Sequence, residues 1–302
     1  GKVQIYLPDL KYVTAEYAAH PDLREQMGDG LSADTSLNRE DSFRKNFKKS
    51  QKSAYKSQRA FLIGGERLAY DGFGVIHGFL SIAQLKEVCR RYQVSINEYL
   101  VGVFIWATYR EHYRKVTKKR PIRVAVPVNL RPFFDSNTSK NFFVMISAEF
   151  VPQKEDYSFE EILEITRESL RSQITREHLE QTFSYNVSNE QFLIAPAVPL
   201  FFKNMVMRII YTQTALANTT TITNIGNIKV QKEYEPYIQA FHCFLSFSKG
   251  QNLKATITSY KDTLVYTYTS AYEDTSIQRR VFRQIAKDGV DVKIETNGVY
   301  YE

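Results

Sequence analysis

The sequence predicts an α/β protein, a mixed β-sheet with helices packed on it. Three observations carry this. Apolar residues alternate at Ile122, Val124, Val126 and Val128, while Ile277, Val281, Phe282 and Ile285 recur at helical spacing. Ser-x-x-Glu/Gln capping signatures open helices at Ser81, Ser95 and Ser158. Apolar residues make up 43% of the 302-residue chain, enough for a sizeable core.

The elements follow in order. Asp9 to Ala19 reads as a short helix with Leu10, Val13 and Tyr17 on one side, broken by His20-Pro21. The stretch to residue 72 carries weak periodicity and is expected to connect. Val75–Phe79 reads as a strand, followed by helices over about 82–92 and 96–115. The second is apolar nearly all round, which predicts a central, buried helix. Strands are expected at 122–128 and 142–150, joined by Asn129-Leu130-Arg131-Pro132. A helix opens at Ser158 and is expected to reach about His178, with more helix following. Pro196 and Pro199 mark a break before an apolar helix at about 200–214. The closing part predicts strands at 219–224, 240–247, 253–260 and 263–269, the last two joined by Lys261-Asp262. A helix over 275–287, Gly289 at its end and a strand at 290–295 complete the pattern.

Composition excludes several classes. No run reaches the ~18 apolar residues of a membrane span. Two cysteines, Cys89 and Cys243, support neither a disulfide framework nor a zinc site, and predict reduced thiols in the cytoplasm. The net charge is +7, and nearly all of it lies between Arg39 and Arg59, where eight cations face Glu40 and Asp41. Phe43, Phe47 and Tyr55 interleave with those cations, so the segment is either a solvated helix face, a phosphate or coenzyme A contact, or a nucleic-acid surface. The solvated face is the simpler expectation, and nucleic acid the least expected.

Among the five histidines none has a second His three or four residues away, so no helical metal pair is present. His242 and Cys243 are neighbours that a strand would point to opposite faces. His178, between Glu177 and Glu180, is expected at the end of a helix, stabilised by its dipole. There is no phosphate-binding glycine loop and no GxSxG elbow.

Four segments nevertheless stand in a familiar order: Ser95-Ile-Asn-Glu-Tyr-Leu, Val124-Ala-Val-Pro-Val-Asn-Leu-Arg131, Asn141-Phe-Phe and Thr221-Ile-Thr-Asn-Ile-Gly226. With the ending Ser259-Tyr-Lys-Asp-Thr-Leu264, Phe282 and Asp288-Gly289, the chain resembles the alcohol acetyltransferase-like members of the coenzyme A-dependent acyltransferase superfamily. That superfamily shares the chloramphenicol acetyltransferase-like fold with peptide-synthetase condensation domains. The resemblance implies a residual N-terminal helix and basic connecting segment at 1–72, and a C-terminal acyltransferase-like subdomain at 73–302.

The family's HxxxD motif supplies the general base, and here it is missing. Four residues after each His stand Arg24, Ser81, Val116, Thr182 and Ser246. The resemblance implies a chain that begins just past that motif, lacks the N-terminal subdomain and is inactive alone. It implies that Arg131 matches the arginine that pairs with the motif's Asp, with Asn129 and Asn141 supporting the strands beside the turn. Thr221, Thr223 and Asn224 fall where donors face the reacting carbonyl, with Gly226 at the turn. Each also has a plainer explanation: a solvated cation for Arg131, strand propensity for the threonines. The resemblance further implies no permanently bound cofactor, acyl-CoA as co-substrate, an alcohol or amine acceptor, and either an N-terminal half or self-association as partner. The alternative is a non-catalytic binding or assembly module of the same fold.

Overall fold

The computed structural model describes residues 42–48, 58–69, 73–115, 120–136, 138, 141–194 and 200–298. Seven strands make one sheet: β1 (Gly74–Ser81), β2 (Ile122–Asn129), β3 (Phe143–Phe150), β4 (Thr220–Asn227), β5 (Leu253–Tyr260), β6 (Thr263–Ser270) and β7 (Val292–Thr296), in the order β3-β2-β4-β5-β6-β1-β7. β4 runs parallel to both β2 and β5, and every other pair is antiparallel. A mixed α/β sheet is what the alternating periodicities predict.

The helices are α1 (Ser42–Asn46), α2 (Ile82–Tyr92), α3 (Ile96–Glu111), α4 (Arg131–Phe134), α5 (Phe159–Arg171), α6 (Arg176–Ile194), α7 (Leu200–Leu216) and α8 (Ser276–Lys287). α3 is the central one, with Leu100, Val101, Val103, Phe104 and Ile105 fully buried. Two glycines permit the tight layers around it. A Cβ on Gly102 would meet the Leu163 side chain of α5 at 2.6 Å, and one on Gly78 of β1 would sit inside the Phe282 ring of α8. Ile76, Ile222, Ala255, Ile257, Tyr266 and Tyr268 line the sheet's side of the same core.

The caps at Ser95 and Ser158 form as predicted, each hydroxyl accepting from the N3 amide while Glu98 or Glu161 reaches back. Glu98 is also held by Arg171 at 2.8 and 3.1 Å. Burial alone would raise its carboxyl, but the bonds from Arg171 and Ser95 outweigh that and keep it below the ordinary value. The Ser81 cap is not reciprocal. Gln84 turns away to Asp291, and Asp262 of the β5–β6 hairpin takes over by accepting from the Ser81 hydroxyl and the Ala83 N–H. At the other end of α8, the Asp288 carboxylate gathers Tyr92, Tyr99 and Gln284.

Other expectations are corrected. The helix from Ser158 stops at Arg171 because the Gln173 amide bonds the backbone N–H and C=O of Ser147 in β3. A new helix then opens, with Thr175 accepting from the His178 N–H. His178 thus lies in a first turn, where the helix dipole opposes a cation, not at the end expected for it. Residues 240–247 are not a strand. Their period-two exposure is real, but their carbonyls take side-chain hydroxyls: Thr258 donates to Phe241, Thr256 to Cys243 and Thr269 to Leu245. α3 ends at Glu111, and β7 begins at Val292. The expected helix at 9–19 and the proline break at 196–199 lie outside the described residues.

Where the basic segment is described, it joins the core. Phe43 meets Phe142 edge-on at 4.9 Å and Phe183 at 5.9 Å, and Lys48 pairs with Glu180 at 2.6 Å. Ala60 and Phe61 bond the backbone of Leu216 and Pro121. An aromatic ring so committed is no platform for stacking bases.

Candidate functional site on the open sheet face

Strand alternation divides the sheet. Ile222, Ala255, Ile257, Tyr266, Tyr268 and Ile76 face the helices, so Thr221, Thr223, Lys254, Thr256, Thr258, Thr267, Thr269 and His77 face the other way. That second face is polar and carries the extended segment 241–247.

Most of its hydroxyls are occupied. Thr256, Thr258 and Thr269 hold the segment, and Thr221 donates to the Gln251 amide oxygen at 2.9 Å, while Gln251 donates to the Ala215 carbonyl. The Thr223 hydroxyl has no partner among the described residues, and it is only half-buried. Asn224, next along, points to the opposite side; its oxygen accepts from the Gly226 N–H at 2.8 Å, shaping the bulge where β4 and β5 shift register. Gly226 needs its freedom there, with φ at +84°.

Arg131 lies at the same end of β2 as Asn224 does of β4, because the two strands run parallel. Its backbone N–H and one guanidinium nitrogen donate to Asn129, and Nε donates to the Thr138 carbonyl at 2.9 Å. Arg131 is therefore a fixed cation, and the turn's own groups are among its partners. Asn141 is exposed one residue before Phe142, whose carbonyl accepts from Leu130 and closes the turn.

Two features escaped the sequence. His77 of β1 and His242 of the segment meet edge to face at 4.4 Å, with Phe244 packed on His77 at 5.5 Å. Thr267 fixes His77 Nδ1 at 2.8 Å. Burial, then His242, lower His77 to about 4 against the opposing pull of Glu295, and burial likewise lowers His242. Both rings stay neutral at pH 7. No linear spacing could announce a pair so distant along the chain. Lys254 is the second. It is 9% exposed, has no ion pair among the described residues, and burial lowers its ammonium. Its position in L-K-A-T-I-T, on the polar phase of an alternating strand, was the available signal. Cys89 is no nucleophile, because burial and then Glu98 push its thiol up to about 12.

Neither a family model nor a curated protein matches the sequence. The structure does match solved ones. It is similar to the epimerization domain from the third module of tyrocidine synthetase B, with a TM-score of 0.50 and 12% identity, over 84% of this chain and 56% of that one. The chain has the condensation-domain fold. Weaker similarities are found to F. graminearum TRI101 complexed with coenzyme A and T-2 mycotoxin (TM-score 0.48, 10% identity, 84% of this chain, 59% of that) and to the condensation domain of the monacolin K polyketide synthase MokA (0.41, 9%, 95% and 62%). This chain thus spans little more than half the length of the epimerization domain it matches. No described helix is long and apolar enough to cross a membrane.

Proposed function

We propose that this chain supplies one wall of an acyl-transfer site, in an acyl-CoA-dependent O- or N-acyltransferase of the alcohol acetyltransferase-like type. In that reaction an alcohol or amine attacks the thioester carbonyl, an oxyanion forms, and coenzyme A leaves as the thiol. The single observation that carries the proposal is the spare hydroxyl of Thr223. Strand propensity explains a threonine there, but its neighbours on the face all spend their hydroxyls on the fold. A donor left over on an open polar wall can face an oxyanion, and one such donor is worth about 3 kcal/mol in acyl-transfer sites. Asn224, on the opposite side of β4, would shape the strand end through Gly226, and the fixed guanidinium of Arg131 would hold the neighbouring turn.

The general base is to come from the HxxxD-bearing half, and residues 73–302 act as the C-terminal subdomain. Two free thiols fit a cytoplasmic setting. The test is thiol release from acetyl-CoA with a panel of alcohols and amines. The chain alone should stay at the buffer rate. Co-expressed with a polypeptide carrying HxxxDG, it should turn over, and Thr223→Val should cut kcat about a hundredfold. Turnover by the chain alone that survives loss of all five histidines would overturn the need for an external base. A complex that assembles yet never releases thiol would favour the binding-module alternative, which the exposed apolar surface of α7 also supports.

A further inference from the structure

On the helical layer, away from that face, α8 and the edge strand β7 enclose a groove of about 430 Å³. Its size is that of small-molecule sites. Ile76, Phe282, Ala286, Val292 and Ile294 make an apolar floor. Arg279 and Arg283 stand over it one helical turn apart, and none of the described lining residues is acidic. α8 itself carries four cations and no carboxylate. Gln278, also a lining residue, is 1% exposed, and neither its amide nitrogen nor its amide oxygen has a partner among the described residues. A buried amide with both ends unpaired costs about 1–3 kcal/mol per group. Such a cost beside a groove is relieved if the side chain turns to a ligand group held in it.

The geometry points to a site for an N-acyl amino acid: the acyl chain on Phe282, Val292 and Ile294, the carboxylate held by Arg279 and Arg283, and the amide paired with Gln278 once its buried carboxamide turns outward. Each feature of the groove has one partner in that ligand class. A fatty acid leaves the Gln278 oxygen without a donor, and a neutral amide leaves the arginines without an anion. The inference does not rest on the acyl-transfer proposal, since it uses none of its residues.

The experiment is photo-crosslinking with an N-acylglycine that carries a diazirine in its chain, mapped by peptide mass spectrometry. Labels are expected on the peptides holding Phe282 and Ile294. N-decanoylglycine should compete at least tenfold better than its methyl ester and than decanoate. Arg279→Glu with Arg283→Glu, both surface changes, should weaken competition at least tenfold, and Gln278→Leu should erase the preference over decanoate. Equal competition by the methyl ester, or labels confined to the exposed apolar helix α7, would overturn the inference.

Discussion

α3 and α7 are both apolar nearly all round, and their fates are opposite. α3 has the sheet on one side and α5 and α8 on the others, so most of its side chains are buried. α7 buries only Ala215 among its residues; Phe201 is 73% exposed, and Met205, Ile209 and Tyr211 are about half exposed. An amino-acid pattern states that a helix needs cover, not that it has it. Among the described residues, cover is provided for one of the two. Tyr237, at 79% exposure, and Phe244 of the segment that crosses the sheet are exposed as well.

The comparison can be broken at its buried end. Phe104→Ala should cost about 3–5 kcal/mol by chemical denaturation, because it empties a fully enclosed site. A cost below 1 kcal/mol would mean that α3 is not the centre of the core. Glu98→Gln comes next, at about 2 kcal/mol, since it removes a charged acceptor shared by Arg171 and the cap. The sign follows from the carboxyl's lowered value. Its contribution is full above about pH 4.5 and fades as pH falls through the folded value. The variant should therefore lose the steepest part of its acid limb.

His77 sharpens the open face, and its contribution too is lost toward acid. With its folded value at about 4, the folded state binds fewer protons than the unfolded one between pH 4 and 6.5. Stability is full above pH 6.5 and falls as pH drops toward 4, by roughly 1–2 kcal/mol once the half-open position is discounted. An NMR titration of the imidazole should give a midpoint near 4, and a midpoint near 6.5 would show that segment 241–247 does not rest on His77. The smallest effect belongs to α7: Phe201→Ser and Ile209→Ser should change the chain's own stability by less than about 0.5 kcal/mol.

Much of this was legible beforehand. α8 could be drawn almost to the residue because its burial is one-sided, and β5, buried on both faces, because its apolar and polar residues alternate up to the Lys261-Asp262 turn. The α5–α6 boundary was not, since it is set by Gln173 reaching a distant strand. Residues 240–247 looked like a strand for a sound reason, but hydroxyls on β5 and β6 answered their carbonyls. At the site, β4 alternation placed Thr221 and Thr223 on one face, yet which hydroxyl stays spare depends on Gln251, and no sequence spacing shows that. The His77–His242 contact exists only in three dimensions.

We propose that the exposed apolar surface of α7 is completed by other polypeptide. Exposed apolar patches beyond a few hundred Å² are rare on soluble monomers. Light scattering across a dilution series tests this most directly. A dimer or higher oligomer that dissociates on dilution, exposes dye-binding surface and is weakened by Phe201→Ser and Ile209→Ser is the predicted result. A strict monomer at high concentration that binds no dye would contradict it.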